Sequence, residues 1–449
     1  MKSSRKYAKA AVMALVFSAL CGIASAESVD MTLEDGVQMA LERNCDIEES
    51  AADLDNAYWA LREARRKTGP TLSWNMDADA VGGKAYRNWG HKYFSNQGMV
   101  TMPIYSGGRL QNNIKAAQMS LSGAELTLER TRQGIRDVVA KEYYDILRCR
   151  SQVEVYEESV SNLKAHLDNV NSKYEAGTVA MADVLSSEVS LAQGKQKLVS
   201  AANDYKVAVA TFNKEIGLPA ETETRALDNL TYQPFKRELT DCEAYALLHR
   251  PDLFQKEYAL LSNKAAMEAA KAGYRPTVDA GATRSIAGDG PFKSNLDSSD
   301  SWMAGITVKW NIFDNQVTQA QVKQKAAAVR RAEAELRDQL SDVKLEVRNA
   351  YTNLRAAEEN IHIMAEVVGK AEEDYSIEEA RYLAGVGTNL ELMDAQNKLV
   401  EAKGGYINAL YSYNRHKSSL EKAMGVKVEL DVEPYRQALE EKNVKGDKK

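Results

Sequence analysis

The sequence predicts a mainly α protein with a small β part, built from two copies of one half-molecule. Three observations carry this. An apolar seam on a 4-3 alternation runs from Leu128 to Tyr174, through Ile135, Val139, Ile146, Cys149, Val160, Leu163 and Val170, interrupted only by Arg132 and Glu142; that spacing is a coiled-coil seam. The seam returns in register 208 positions on, from Leu336 to Tyr382, with Glu378 its one charged member. Ahead of each seam the hydrophobic period changes to two over a pair of short stretches, which marks strands. Solenoid units run about 20–50 residues, so a repeat this long reads as a duplication.

The 449 residues carry 27% charged side chains and a net charge of −6, which argues against a nucleic-acid surface. Only 8 prolines and 7% aromatics, with many Ala, Glu, Lys and Leu, favour helix.

The N-terminus stands apart. Lys2, Arg5, Lys6 and Lys9 form a basic n-region, Ala10 to Ile23 an apolar h-region, and Ala24-Ser25-Ala26 an A-x-A site. Residues 1–26 read as a signal peptide, with the mature chain starting at Glu27. Cys21 offers a lipoprotein reading, but Leu20 before it is bulkier than such signals want. No later stretch approaches 18 apolar residues, so no spanning helix is expected. A soluble exported protein, a surface-attached one and an outer-membrane barrel all remain open. Cys45, Cys149 and Cys242 are odd in number and far apart, which indicates neither a disulfide framework nor a metal knuckle. Cys149 lies on the seam, as a small buried hydrophobe would.

The first copy covers residues 27–217. Thr32-Leu33-Glu34-Asp35 opens a helix with a threonine cap and an acidic first turn; its pattern runs through Val37, Ala40 and Leu41 and, after Asn44, through Leu54, Tyr58 and Leu61 to Ala64, and Gly69-Pro70 ends it. The hairpin follows at about 71–105. Leu72, Trp74, Met76, Ala78 and Ala80 alternate with Ser73, Asn75, Asp77 and Asp79, Gly82-Gly83 turns the chain, and Val100, Met102 and Ile104 share a face of the return strand. A helix from about 108 to 175 is next, nearly 70 residues or roughly 100 Å long. Gly177-Thr178 stops it, and a return helix covers about 181–216.

A connector, 218–238, leads to the second copy at 239–425. Arg250-Pro251-Asp252-Leu253 stands where the first copy has Asn44-Cys45-Asp46-Ile47. The second hairpin is expected at about 277–313, with Trp302 and Trp310 near the two ends of its apolar face, as interface anchors would be. The long helix is expected at about 316–383, the turn at Gly385-Val386-Gly387-Thr388 and the return at about 390–424. Residues 426–449 form a C-terminal tail whose polar end from Glu440 is expected to be disordered.

Strands of about 10 residues are long enough to cross a bilayer when tilted. Four of them make a poor closed barrel, and open edges are not tolerated in lipid. Transmembrane hairpins therefore predict an oligomer that shares its barrel; the competing reading is a small soluble sheet packed on helices.

Two copies of helix, proline, amphipathic hairpin, very long helix, Tyr-x-x-Gly turn and return helix resemble the TolC family of outer-membrane efflux proteins over nearly all of the mature chain. Three motifs carry the resemblance: Ala40-Leu41…Asn44 with Arg250-Pro251-Asp252-Leu253; Pro103-Ile104-Tyr105-Ser106-Gly107-Gly108 with Ile312-Phe313-Asp314; and Tyr382-Leu383-Ala384-Gly385…Glu391-Leu392-Met393-Asp394-Ala395. The resemblance implies a homotrimer whose chains close a 12-stranded barrel in outer-membrane lipid, with Trp74, Trp302 and Trp310 as interface aromatics and a helical tube into the periplasm. It implies an exit duct for efflux or type I secretion, coupled through a periplasmic adaptor to an inner-membrane pump or ABC transporter.

The turns Tyr174, Gly177, Thr178, Gly385, Gly387 and Thr388 would meet the adaptor. Glu391 and Asp394, with Asp183 as the first-copy partner of Glu391, would form carboxylate rings at a periplasmic gate, with Tyr382 among the closing contacts. Glu391 and Asp394 are three residues apart, on one helix face, and can equally be capping or solvated acids. Gly387 stands where some members carry a basic residue that ties the turn shut. The family implies no enzyme, cofactor, metal or nucleic acid, and the five histidines, His91, His166, His249, His362 and His416, lack metal-ligand spacing. A periplasmic adaptor would need short-strand domains that the sequence lacks. An exported coiled-coil protein without a pore would leave the duplicated strands unexplained.

Overall fold

The computed structural model describes residues 29–80, 82, 84, 92–293 and 300–446. The signal peptide lies outside them, as do Gly83 in the first hairpin turn, His91, and Asp447–Lys449. The elements in chain order are β1 (Val29–Met31), α1 (Leu33–Arg43), α2 (Cys45–Arg66), β2 (Thr71–Ala80), β3 (Lys92–Tyr105), α3 (Arg109–Glu175), α4 (Met181–Glu215), β4 (Thr224–Ala226), α5 (Leu239–His249), α6 (Pro251–Lys271), β5 (Thr277–Gly288), β6 (Asp300–Lys309), α7 (Val317–Leu383), α8 (Asn389–Met424) and α9 (Glu433–Gly446).

Local chemistry sets the boundaries. Thr32 and Asp35 cap α1 reciprocally: the Thr32 hydroxyl accepts from the Asp35 N–H at 3.3 Å, and the Asp35 carboxylate accepts from the Thr32 N–H at 3.2 Å. Asn44 breaks α1 from α2, its side chain accepting from Asp46 N–H and donating to the Glu215 carbonyl. The strand-to-helix turns before α3 and α7 each need two left-handed residues. The first copy uses Gly107 and Gly108 (φ 67° and 95°), the second Asn315 and Gln316 (φ 53° and 66°), so the backbone is duplicated where the residue types are not.

Two compact units result, and they do not follow the sequence repeats. One contains the described residues up to Ile47 with Arg132–Asp241 and Val347–Ala423; the other contains Glu48–Thr131, Cys242–Glu346 and the described residues from Met424. Each repeat contributes to both, because the 67-residue helices α3 and α7 continue through both.

In the first unit β1 pairs in parallel with β4. Tyr143 is fully buried and its hydroxyl donates to the Met31 carbonyl at 3.1 Å. Phe212 packs under Gly36, where an added Cβ would lie 2.8 Å from its ring. The seam residues Ile135, Val139, Ile146, Cys149, Leu163 and Val170 are buried, as are the counterparts of the first four on α7, Val343, Val347, Leu354 and Ala357, of which Val343 belongs to the other unit. Burial pushes the Cys149 thiol up to about 11, in keeping with a packing role. Cys242 is also buried, and Cys45 is exposed.

In the second unit the four strands form one antiparallel sheet in the order β2-β3-β5-β6. The C-terminal segment docks beside α3. Glu129, fully buried, accepts from the N–H groups of Val428 and Leu430 at 2.8 and 3.0 Å, and Leu439 joins Met119, Leu126, Phe254 and Tyr258 in a core. The tail end expected to be disordered is thus helical as far as Gly446, because α9 has a core to cover. The second hairpin is also shorter than 277–313: β6 ends at Lys309, and Trp310, Ile312 and Phe313 lie exposed beyond it.

Candidate functional site

Register builds the sheet's two faces. Leu72 lies opposite Val100, Val100 opposite Ala282, and Ala282 opposite Ala304. Directly opposed residues share a face, so the apolar alternations of four strands merge into one surface. Leu72, Trp74, Met76, Met102, Ile306 and Val308 are exposed on it; its polar members, Lys92, Asn96, Arg284 and Asp300, lie toward the hairpin-turn end, where Arg284 and Asp300 pair at 2.9 Å. The opposite face carries Ser73, Asn75, Asp77, Gln97, Asp279, Thr283 and Thr307, with Tyr93, Met99, Ala287 and Met303 among the exceptions. An exposed apolar face this large marks a membrane or protein contact. Among the described residues, strands β2 and β6 each pair on one side only.

Of the expected interface aromatics, Trp302 is 81% exposed and sits two residues inside one end of β6, while Trp310 follows the other end and donates its indole N–H to the Tyr274 carbonyl at 3.2 Å. Trp74 shares a rung with Trp302, through Gly98 and Arg284, and stacks on Phe292 with ring centroids 5.6 Å apart.

The turns between long and return helices are built alike. Gly177 and Gly385 are left-handed (φ 72° and 76°). Thr178 N–H donates to the Lys173 carbonyl at 2.9 Å, and Val386 N–H to the Arg381 carbonyl at 3.0 Å, which satisfies orphaned carbonyls at the helix end. Gly387 N–H also reaches the Arg381 carbonyl. A Cβ at Gly387 would lie 3.0 Å from Arg381 Cβ and 3.1 Å from Tyr382 N. The turn at Gly387 is thus folded tightly onto its own helix.

Asp183 and Glu391 both hold helix starts. The Asp183 carboxylate accepts from the Ala180 N–H at 3.3 Å. Glu391 accepts from the N–H and hydroxyl of Thr388 at 2.9 and 3.0 Å, while its own N–H donates to that hydroxyl, a complete capping box. The Thr388 N–H first, then its hydroxyl and the Arg381 charge, hold the Glu391 carboxyl below the usual range, so it stays ionised near neutrality. Asp394 is exposed and pairs with Lys398 at 2.6 Å.

The two turn tyrosines have different surroundings. Tyr174 is 45% exposed and Tyr382 6%. The Lys173 ammonium lies 4.0 Å from the centroid of the Tyr382 ring and donates to the Tyr382 carbonyl at 3.2 Å. The His166 ring lies 5.0 Å from it. His166 Nε2 is 2.7 Å from Asn389 Oδ1, and Asn389 Nδ2 donates to the Asp183 carbonyl at 3.2 Å and to the Ser187 hydroxyl at 3.3 Å. The sequence reading missed His166, Lys173, Ser187 and Asn389, since no local pattern links residues some 200 positions apart. Among the described residues no cluster of His, Cys, Asp or Glu has the arrangement of a metal site, and no helix is long and apolar enough to cross a membrane.

The family model described as "Outer membrane efflux protein" matches residues 36–218 and 244–426, one match in each repeat. Outer membrane protein TolC of Escherichia coli (strain K12) is 24% identical over 95% of this chain and 88% of its own. Among solved structures, the outer membrane channel CmeC of Campylobacter jejuni superposes with a TM-score of 0.77 at 14% identity, covering 91% of this chain and 89% of that one. The outer membrane protein VceC of Vibrio cholerae does so at 0.75 and 17%, covering 88% and 97%.

Proposed function

The chain belongs to the outer membrane efflux protein family, and from that premise we propose that it is the outer-membrane exit duct of a tripartite efflux system, or of a type I secretion system. The family is one of channels rather than enzymes. The observation that carries the reading is the four-stranded sheet: mainly apolar and exposed on one face, mainly polar on the other, with one edge of β2 and one of β6 unpaired among the described residues. Edges in lipid must be paired. Three chains, edge to edge, supply 12 strands, with the apolar face toward lipid and the polar face lining the lumen.

A homotrimer also covers the apolar side chains that α4 leaves exposed, among them Leu185, Val189, Val199 and Val207. The turns at Tyr174, Gly177, Thr178, Gly385, Gly387 and Thr388 dock a periplasmic adaptor, which joins the duct to an inner-membrane pump or ABC transporter. Asp183, Glu391 and Asp394 become rings under three-fold symmetry, favouring cations and screening anions, with Tyr382 in the closing contacts. Trp74, Trp302 and Trp310 anchor the barrel at the lipid interface.

Reconstitution of the purified chain in planar bilayers tests this. Discrete cation-preferring conductance is expected, together with sedimentation in the outer-membrane fraction. Recovery as a soluble periplasmic protein without conductance would refute the duct.

A further inference from the structure

The contacts around Tyr382 tie the second turn to the first helical hairpin within one chain. His166 and Lys173 come from α3, Asp183 and Ser187 from α4, Tyr382 from the end of α7, and Asn389 from the start of α8. Asn389 is the keystone: buried, it takes one bond from α3 and gives two to α4. With His166 neutral, its Nε2–H donates to Asn389 Oδ1, which leaves both Asn389 N–H groups for Asp183 and Ser187.

We propose that His166 and Asn389 form an intra-chain latch that holds the second turn against the first hairpin, and that the latch loosens when the imidazole takes up a second proton. This rests on the reading of that end as a gate. The charged and titratable groups facing His166 are Lys173 on its own helix, Glu379, Tyr375 and Tyr382 on α7, and Asp183 on α4 behind Asn389. A small cavity of about 210 Å³ adjoins the ring and is lined by Asn162, Asn169, Tyr375, Glu379 and Gln396 among others. A second cation there is opposed by burial and by the Lys173 ammonium against the same tyrosine ring, and Glu379 offsets only part of that.

Burial first, and then Lys173 against the contrary pull of the Asn389 bond and Glu379, hold the His166 pKa below its ordinary value. A released turn returns His166 to water and to a pKa of about 6.5. The released state therefore binds the proton more tightly. The latched state is fully favoured above that ordinary value and loses ground as pH falls from there toward the depressed value. Each unit between the two values changes the latched-to-released ratio by up to about tenfold.

The test is hydrogen exchange of peptides covering residues 383–393 in the detergent-solubilised full chain at pH 7.5 and 5.5, corrected for the intrinsic pH dependence of exchange. Loss of protection at pH 5.5 is expected in the wild type and not in His166→Gln, whose amide still donates to Asn389. Asn389→Ala should be unprotected at both values. Equal protection at both pH values in the wild type, or the same acid loss in His166→Gln, overturns the proposal. Bilayer recordings give a second readout: acid should raise wild-type conductance and leave His166→Gln unchanged. Absence of any pore would refute the duct, while exchange would still decide the latch.

Discussion

Asp183 and Glu391 are caps by the bonds they make and gate carboxylates only in the proposed duct. Each is a cap first, bonded to the backbone N–H three residues before it. The sequence signal for this was present, since Thr388 and Glu391 have the spacing of a capping box, but it could not choose between cap and gate. An alanine at 391 confounds the two roles. Glu391→Gln keeps an N3 side chain that can cap and removes only the charge; Asp394→Asn does the same beside Lys398. Both should reduce cation block and cation preference in bilayer recordings with the helical content unchanged by circular dichroism. Unaltered conductance in the double variant would remove these carboxylates from the gate.

Two glycines at this scale have matching backbones and different surroundings. Gly385 and Gly425 are both left-handed (φ 76° and 73°), but an added Cβ at Gly385 meets open space, whereas at Gly425 it would lie 2.9 Å from Arg250 Cα and 3.0 Å from the His249 carbonyl. Gly385→Ala is expected to cost about 1–2 kcal/mol from the left-handed conformation. Gly425→Ala should cost visibly more. Denaturant unfolding of the two variants checks the order, and equal losses would show that packing on Arg250 adds nothing.

At the scale of elements, periodicity was enough for the helices. The expected limits 108–175 and 316–383 lie within one residue of α3 and α7 at every end, because a seam of many turns averages out local exceptions such as Arg132 and Glu142. Three-residue strands give no such average, so β1 and β4 were not legible. Nor was the docking of α9, which depends on a Glu129 carboxylate some 300 positions away.

The break between α5 and α6 shows the same limit. Arg250-Pro251-Asp252 is visible as a motif, but its meaning lies in partners elsewhere. Arg250, 2% exposed, bonds Asp252 and Glu346, and Arg130 approaches Asp252 at 3.6 Å. Burial raises the Asp252 pKa, yet the Arg250 bond and the Arg130 charge outweigh it and leave the carboxyl below its usual range. The stability this gives is present above the ordinary carboxylate value of about 4 and is lost as pH falls through the depressed one. Arg250→Ala would strand a largely buried carboxylate and should destabilise by about 3–5 kcal/mol, read by denaturant unfolding at neutral pH. The loss should shrink in acid; a loss that is constant with pH would contradict the network.

For the molecule as a whole, the duplication governs the architecture. It gives two hairpins, which β3 and β5 join into one sheet, and two turns that share a left-handed glycine and the backbone bond after it. The sequence revealed the duplication, the hairpins and the turns, and the family match in both repeats agrees with it. It did not reveal that Tyr382 is buried where Tyr174 is exposed, since the residues that cover Tyr382 come from the other repeat. The compact units likewise cut across the repeats. Among the described residues a single chain leaves one edge of β2 and one of β6 unpaired, and the proposed duct requires neighbouring chains to pair them.

Cysteine pairs scanned between β2 (Thr71–Ala80) and β6 (Asp300–Lys309), in a background with the exposed Cys45 replaced, test that claim most directly. A shared barrel gives disulfides between chains at one antiparallel register, in membrane-extracted protein, with crosslinked species ending at the trimer. Pairs that close within a single chain, or no crosslinking at any register, would contradict it.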